Sequence, residues 1–334
     1  MDCFRCVVIG CGRMGLAHAE RLAGDSRSAL AGFFDADREA AMQLRDQVAA
    51  GAPVFDSAED AFAQANADAA VICTPTSVHA AQVRCAARHD LHVLCEKPLA
   101  ATRDEIIGLI DLSQSLSYLH FMLGYQRRFW AIYRRMKEEI ESGQWGNMVS
   151  VTAVNSERWQ QTIAGTWRDD PDINYGGYLG DAGSHRLDGL FYVTGLGLGD
   201  FSASSAKAGS NVEIVTLVNG ELLDDGDRVV PFSLSFMGNS NSFHEELFIH
   251  CEKADLIVRG FQFFIGRDNN VELINLPAEH SGRESTDNPI TGFLDLVTGV
   301  ADNISPFECA LPVFDMTTAI LDAAEEHNSL SGLA

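Results

Sequence analysis

The sequence predicts an α/β protein in two parts: an N-terminal Rossmann domain with a parallel sheet, then an α+β domain with a large open, mostly antiparallel sheet. Three observations predict this. Short apolar runs alternate with helical patterns through the first part of the chain. Gly10-Cys11-Gly12-Arg13-Met14-Gly15 follows the first of those runs and opens the first helical pattern. After Gly146 the texture changes to strands that mostly follow one another directly, with few helices between them.

The elements fall in order. Strand patterns at residues 5–9, 29–34, 69–73 and 92–95 are each followed by a helical pattern, at 14–23, 37–49, 77–88 and 102–115. The apolar run 118–125 closes this series, and a helix over 129–141 leads out of it, which places the division at 1–123 and 124–334. Strands are then predicted at 148–155, 201–206, 213–218, 229–236, 243–250, 255–258 and 271–274, with a hairpin tip of turn-forming residues at 221–227. Helices over 179–194, 289–303 and 313–329 supply one layer, which covers one face of the sheet. Apolar residues occur at both strand parities in Leu247-Phe248-Ile249, so the other face is expected to meet a second subunit, in a homodimer or homotetramer.

A length of 334 residues suits about two domains, and 46% hydrophobic residues suffice for their cores. The net charge of −23 works against nucleic acid or an anionic membrane surface as partner. No apolar run approaches the roughly 18 residues of a membrane-spanning helix. The start, Met1-Asp2-Cys3-Phe4-Arg5, enters a strand without signal-peptide features, so a cytoplasmic location is the expectation. Of the eight cysteines, Cys6, Cys73, Cys85 and Cys95 fall inside predicted elements, where a reduced thiol behaves as a small hydrophobe. Cys3 and Cys6 are spaced C-x-x-C but run into a strand, and no second pair exists, so no metal is expected.

The glycine triplet has a mechanical reading. Gly10 permits the tight turn, Gly12 lets the backbone approach a pyrophosphate, and Gly15 lets helix and strand pack closely. Arg13 and Met14 open the helix, whose free N–H groups and positive dipole end face the phosphates. Asp35 closes the second strand, where a carboxylate accepts hydrogen bonds from the ribose hydroxyls and repels a 2′-phosphate, favouring NAD over NADP. Arg38 is the feature that could serve a phosphate there instead. Thr74-Pro75 follows the third strand and Glu96-Lys97-Pro98 the fourth. Ligands lie beyond the carboxyl ends of strands in such a sheet, so both turns are expected at the nicotinamide half. His79 stands in the first helical turn after Thr74-Pro75, either lining the site or on the surface.

Lys97 is unusual because only four of the 24 basic residues are lysines. An ammonium whose pKa moves on burial suits proton chemistry, although a solvated lysine closing a strand explains the position equally well by itself. In the second part, Asp181, His185 and Asp188 stand at i, i+4 and i+7 on one helix face after the glycine-containing stretch Tyr175-Gly176-Gly177. An acid one turn from an imidazole can orient a hydroxyl and its base together; a solvated polar face, an ordinary ion pair and a metal site remain alternatives.

Taken together, Gly10-x-Gly12-x-x-Gly15, Thr74-Pro75 with His79, Glu96-Lys97-Pro98 and Asp181-x-Gly183-x-His185 resemble the glucose–fructose oxidoreductase and inositol dehydrogenase (Gfo/Idh/MocA) family, over essentially the whole chain. The resemblance implies a sheet-mediated oligomer and a catalytic set of Lys97, Asp181 and His185, with His185 as general base and Lys97 touching substrate and nicotinamide. It places Glu96 and Pro98 in the turn that shapes the cofactor site. It places Arg127, Trp167 and Arg168 beside the substrate, with Arg128 next to them. Tyr175 departs from the family's usual glycine triplet, and Cys251-Glu252-Lys253-Ala254 lacks glycines common at that hairpin. The implied activity is NAD-dependent oxidation of a secondary hydroxyl of a sugar, sugar derivative or cyclitol. An NAD-using glycosidase or a non-catalytic NAD-binding regulator of the same fold is the alternative.

Overall fold

A computed structural model describes residues 3–331 apart from Tyr175, Asp225, Asp227 and 277–286. The family departure at Tyr175 and part of the 221–227 hairpin tip therefore lie outside the described residues. The chain divides into two compact units, Met1–Gln126 with Asn288–Leu311 and Arg127–Asp287 with Pro312–Ala334. The return of Asn288–Leu311 to the first unit has no counterpart in the sequence division at 123/124.

The first unit runs β1 (Phe4–Ile9), α1 (Arg13–Gly24), β2 (Ser28–Phe34), α2 (Arg38–Val48), α3 (Ala58–Gln64), β3 (Ala69–Ile72), α4 (Thr76–Arg88), β4 (His92–Cys95), α5 (Arg103–Ser115) and β5 (Phe121–Leu123). Its five strands are parallel, in the order β2-β1-β3-β4-β5. All four residues of β3 are buried, as are the last four of β1, because helices cover both faces of the sheet. The order reverses beside β1, so the turns after β1 and β3 flank the switch point where α/β sheets bind ligands. The short helix α3 escaped the sequence reading; Ser57 caps it by accepting from the Asp60 N–H. The edge of β5 is closed by residues that return late in the chain. Leu123 N–H donates to Ser305 O at 2.8 Å, and Ser305 Oγ donates to Leu123 O at 2.7 Å.

In the second unit α6 (Ala131–Glu141) leads to β6 (Met148–Ser156), α7 (Trp159–Ile163) and α8 (Ser184–Thr194). Seven strands follow: β7 (Gly197–Ala206), β8 (Val215–Leu223), β9 (Val229–Met237), β10 (His244–Cys251), β11 (Asp255–Arg259), β12 (Gln262–Arg267) and β13 (Asn270–Ile274). The eight strands of this unit form one sheet, β13-β12-β11-β10-β6-β9-β8-β7, antiparallel except for the β6–β9 pair. α9 (Pro289–Val297) belongs to the first unit, whereas all but the start of α10 (Ala310–Ser331) belongs to the second. Register sets the two faces apart: Ala153, Val218, Leu234, Leu247 and Val258 align on the covered face and are buried. The opposite parity leaves Leu217 and Val271 44% and 58% exposed. Among the described residues no helix is long and apolar enough to cross a membrane.

Candidate active site

The nucleotide loop is built from close backbone contacts. Gly10 has φ +89°, and a β-carbon there would stand 2.6 Å from the Cys73 carbonyl carbon, so the turns after β1 and β3 touch. At Gly15 a β-carbon would stand 2.0 Å from Gly10 O, which lets α1 start directly beneath the turn. Gly12 is the contrast. It is exposed at the N-cap of α1, makes no side-chain cap bond, and would offer a β-carbon nothing within 4 Å. Open space above the N–H groups of a helix start, with Arg13 exposed and Met14 half-buried behind it, is what a pyrophosphate requires.

Asp35 lies just beyond β2. Its Oδ2 accepts from Cys11 N–H at 2.6 Å and its Oδ1 from Asp37 N–H at 2.9 Å. The cap of α2 is Asp37, so capping does not account for Asp35. Arg38 pairs on the surface with Asp56.

The turns after β3 and β4 are linked by one side chain. Thr74 Oγ1 donates to Gln82 Oε1 at 2.6 Å, and Pro75 is the N-cap of α4. His79 is buried, with Nε2 2.7 Å from Thr74 O and Nδ1 2.8 Å from Pro98 O. Burial lowers its pKa, against the carbonyls of Pro98 and Thr74 and the Glu96 charge, which favour the protonated ring. Expected beside the cofactor, this imidazole lies buried between two backbone carbonyls, and its one N–H donates to one of them.

Glu96 is buried and meets His18 Nε2 through Oε1 at 2.6 Å, while its Oε2 accepts from Lys97 N–H at 3.3 Å. Burial alone would raise this carboxyl; the His18 hydrogen bond and charge, together with Lys97, outweigh it and keep Glu96 ionised. Lys97 itself is half-buried, just past the carboxyl end of β4.

In the second unit the Asp181–His185 segment is wound differently from the even helix that was expected. Leu179–Gly183 forms a π-helical turn before α8 begins. The wider turn changes the spacing of Asp181 from α8; Asp181 and His185 are half-buried, while Asp188, further along α8, has no exposed surface. Asp188 takes the Arg128 guanidinium at 2.8 and 3.0 Å from Nε. Burial raises its pKa to about 6, with Arg128 opposing the rise. The expected three-residue stripe is thus two residues and a buried ion pair.

Arg168 Nε donates to Asp181 Oδ2 at 2.9 Å, and its guanidinium stacks 4.2 Å from the centroid of Trp167. Their loop is anchored by Asn174 Nδ2 on Arg168 O at 2.7 Å and by Asp169, which accepts from Ser210 Oγ at 2.6 Å and Asn211 N–H at 3.1 Å. Arg127, expected at the substrate, is buried against Glu245, with Nε 2.7 Å from Oε1. Glu245 also accepts from Tyr133 OH at 3.1 Å and lies 3.3 Å from Arg186 Nη2. Arg186 in turn reaches Asn155 Oδ1 at 3.1 Å and Glu157 Oε1 at 3.0 Å. This network pins the start of α8 to β6 and β10.

Sequence reasoning missed His18, Glu245 and Arg186. A signal existed for two of them: His18 shares the buried face of α1 with Gly15, Ala19 and Leu22, and Glu245 shares the inward parity of β10 with Leu247 and Ile249. Among the described residues, Glu59, Cys85 and His89 bring ligand atoms within 4.8 Å of one another. Glu59 is exposed, and burial pushes the Cys85 thiol up, against the thiolate a metal would need. Cys6 of the C-x-x-C pair is buried in β1.

A doubly wound parallel sheet with an open glycine loop and an acid at the end of β2 defines an NAD(P)-binding oxidoreductase of the Rossmann class. The chain belongs to the GFO/IDH/MocA family: residues 4–125 match the oxidoreductase family's NAD-binding Rossmann fold, and 133–257 its C-terminal domain. It is 28% identical over 212 residues to the rhizopine catabolism protein MocA of Rhizobium meliloti, covering 62% of each chain. It is 35% identical over 150 residues to inositol 2-dehydrogenase of Leifsonia xyli, covering 44% of this chain and 43% of the relative. The chain thus spans less than two thirds of these relatives' length. The WlbA dehydrogenase of Bordetella pertussis, solved with NADH and UDP-GlcNAcA, shares the fold at TM-score 0.80 and 22% identity, covering 98% of both chains.

Proposed function

We propose that this oxidoreductase uses NAD to oxidise a secondary hydroxyl of a sugar, a sugar derivative or a cyclitol. The observation that carries the reading is Lys97, half-buried at the carboxyl end of β4 in the unit that also presents the open start of α1. Gly10, Gly12, Arg13 and Met14 would hold the pyrophosphate, with Thr74 and Pro75 towards the nicotinamide half. Asp35, fixed at the end of β2, would take the ribose hydroxyls and repel a 2′-phosphate, which supports NAD over NADP. Bound NAD supplies the hydride acceptor.

The residues divide the remaining work. The Lys97 ammonium stabilises the alkoxide that develops on the reacting oxygen. His185 takes the hydroxyl proton; its Nδ1 is buried, which supports Nε2 as the atom that receives it. Asp181, paired with Arg168, orients the hydroxyl, while Trp167 and Arg168 contact the rest of the substrate. Arg127 acts from below by holding Glu245. In this reading the N-terminal part binds the cofactor, and the part from residue 124 onward supplies substrate contacts and the surface for self-association.

The test is a thermal-shift panel with NAD or NADP, followed by sugars, sugar acids and inositols. A cofactor at a hundred times its Kd adds about 2.7 kcal/mol to stability. NAD should raise the melting temperature more than NADP, and a compound that raises it further should produce NADH absorbance. A bound sugar that yields no accumulating NADH would instead support the glycosidase.

A further inference from the structure

The Glu96-Lys97-Pro98 turn is held at both ends by buried imidazoles from two different helices. His18 of α1 meets Glu96 Oε1 through Nε2 at 2.6 Å, and His79 of α4 meets Pro98 O through Nδ1 at 2.8 Å. Both rings are 1% exposed, so solvent cannot substitute for either contact. The two contacts bracket Lys97, and the carboxylate that His18 holds also accepts from the Lys97 backbone N–H at 3.3 Å. Gly124 passes close to the same carboxylate, since a β-carbon there would stand 3.1 Å from Oε1. The other nitrogen of His79, Nε2, lies 2.7 Å from Thr74 O, so the ring stands between the turns after β3 and β4.

We propose that His18 and His79 are positioning residues that jointly fix the Lys97 ammonium, the former through Glu96 and the latter through the Pro98 carbonyl. The inference rests on the catalytic reading of Lys97 but concerns its placement, and the two fail separately. Loss of turnover in Lys97→Ala tests the reading. The placement is tested by the Lys97 signal itself.

The composition makes that signal accessible, because the chain holds four lysines: Lys97, Lys137, Lys207 and Lys253. The full chain, labelled with 13C and 15N at lysine and saturated with NAD, should give four side-chain ammonium correlations at low temperature and mildly acidic pH. Lys97→Arg identifies the one that belongs to Lys97. Substitution can be matched to the atom at stake: glutamine places an amide donor near the position of Nε2, and asparagine near that of Nδ1. His18→Leu and His79→Gln should move the Lys97 signal and leave the other three in place. His18→Gln and His79→Asn, which keep the donor to Glu96 and to Pro98, should restore it. If His18→Leu fails to fold, Glu96→Gln carries the same expectation at similar size without the charge. A Lys97 signal unmoved by both His79→Gln and either His18→Leu or Glu96→Gln overturns the proposal, as does one moved equally by His79→Asn and His79→Gln.

Discussion

Gly12 and Gly15 stand three residues apart in one loop and have opposite constraints. A β-carbon at Gly15 would overlap Gly10 O at 2.0 Å, whereas one at Gly12 would meet nothing within 4 Å. Replacing Gly12 with valine should thus cost the cofactor-free protein no more than about 1 kcal/mol, the scale of a lost helix cap. The same side chain fills the space kept for the pyrophosphate, so the NAD-induced rise in melting temperature should disappear. Retention of that rise in a thermal-shift comparison would refute the assignment of the loop. At Lys97 the expectation is reversed. Lys97→Ala should keep its NAD response yet lower NADH formation at least about a hundredfold, the loss typical of one electrostatic donor at a developing oxyanion. Near-normal turnover in steady-state assays would remove Lys97 from the chemistry.

The helix α8 is held by charges its sheet buries. Glu245 is inward on β10 beside Arg127, Arg186 and Tyr133. Burial would raise its carboxyl, but those two guanidinium groups and the tyrosine hydroxyl bring it down to about 2 from 4.5. A carboxylate depressed in the folded state adds stability above its ordinary pKa and loses it as pH falls through the folded value. The window here is therefore about pH 4.5 down to 2, and the contribution above it is on the order of 3 kcal/mol. Glu245→Gln should lose about that much at pH 7 in urea unfolding, and its stability should fall less steeply than the parent's below pH 4.5. Parallel pH dependences in the two proteins would show that Glu245 is not the group that titrates.

At the scale of the whole molecule, a net charge of −23 over 334 residues makes self-repulsion a folding term. Raising salt from about 10 to 150 mM shortens the Debye length from roughly 30 to 8 Å. The melting temperature should rise over that range. A fall would mean that surface ion pairs such as Arg38–Asp56 outweigh the repulsion. The open face of the eight-stranded sheet carries Leu217, Val271 and Leu273, each at least 40% exposed, with Leu273 in register with Phe264 and, through Ile257, with Phe248. Self-association through that face should appear in light scattering as a dimer or tetramer, and charged replacements at Leu217 and Leu273 should shift it towards monomer. A parent protein that runs as a monomer at micromolar concentration would exclude it.

The strand–helix alternation, the glycine triplet and Asp35 were legible because local rules dictate them: a period of two or of 3.6, a glycine where a tight turn needs one, an acid one strand later. Lys97, Asp181 and His185 were singled out by the family resemblance, and their roles are the proposal made above. The rest depended on neighbours distant in sequence. Nothing near Asp188 announces Arg128 sixty residues earlier, and a π turn at Leu179–Gly183 breaks the even helical spacing between Asp181 and α8. Arg127, placed beside the substrate by the resemblance, is paired with Glu245 of β10, and His79 lies buried between two backbone carbonyls. Local periodicity determines which elements form and which turns can cradle a phosphate. The tertiary structure decided which polar side chains spend their hydrogen bonds inside the protein, because that depends on burial among partners that only folding assembles.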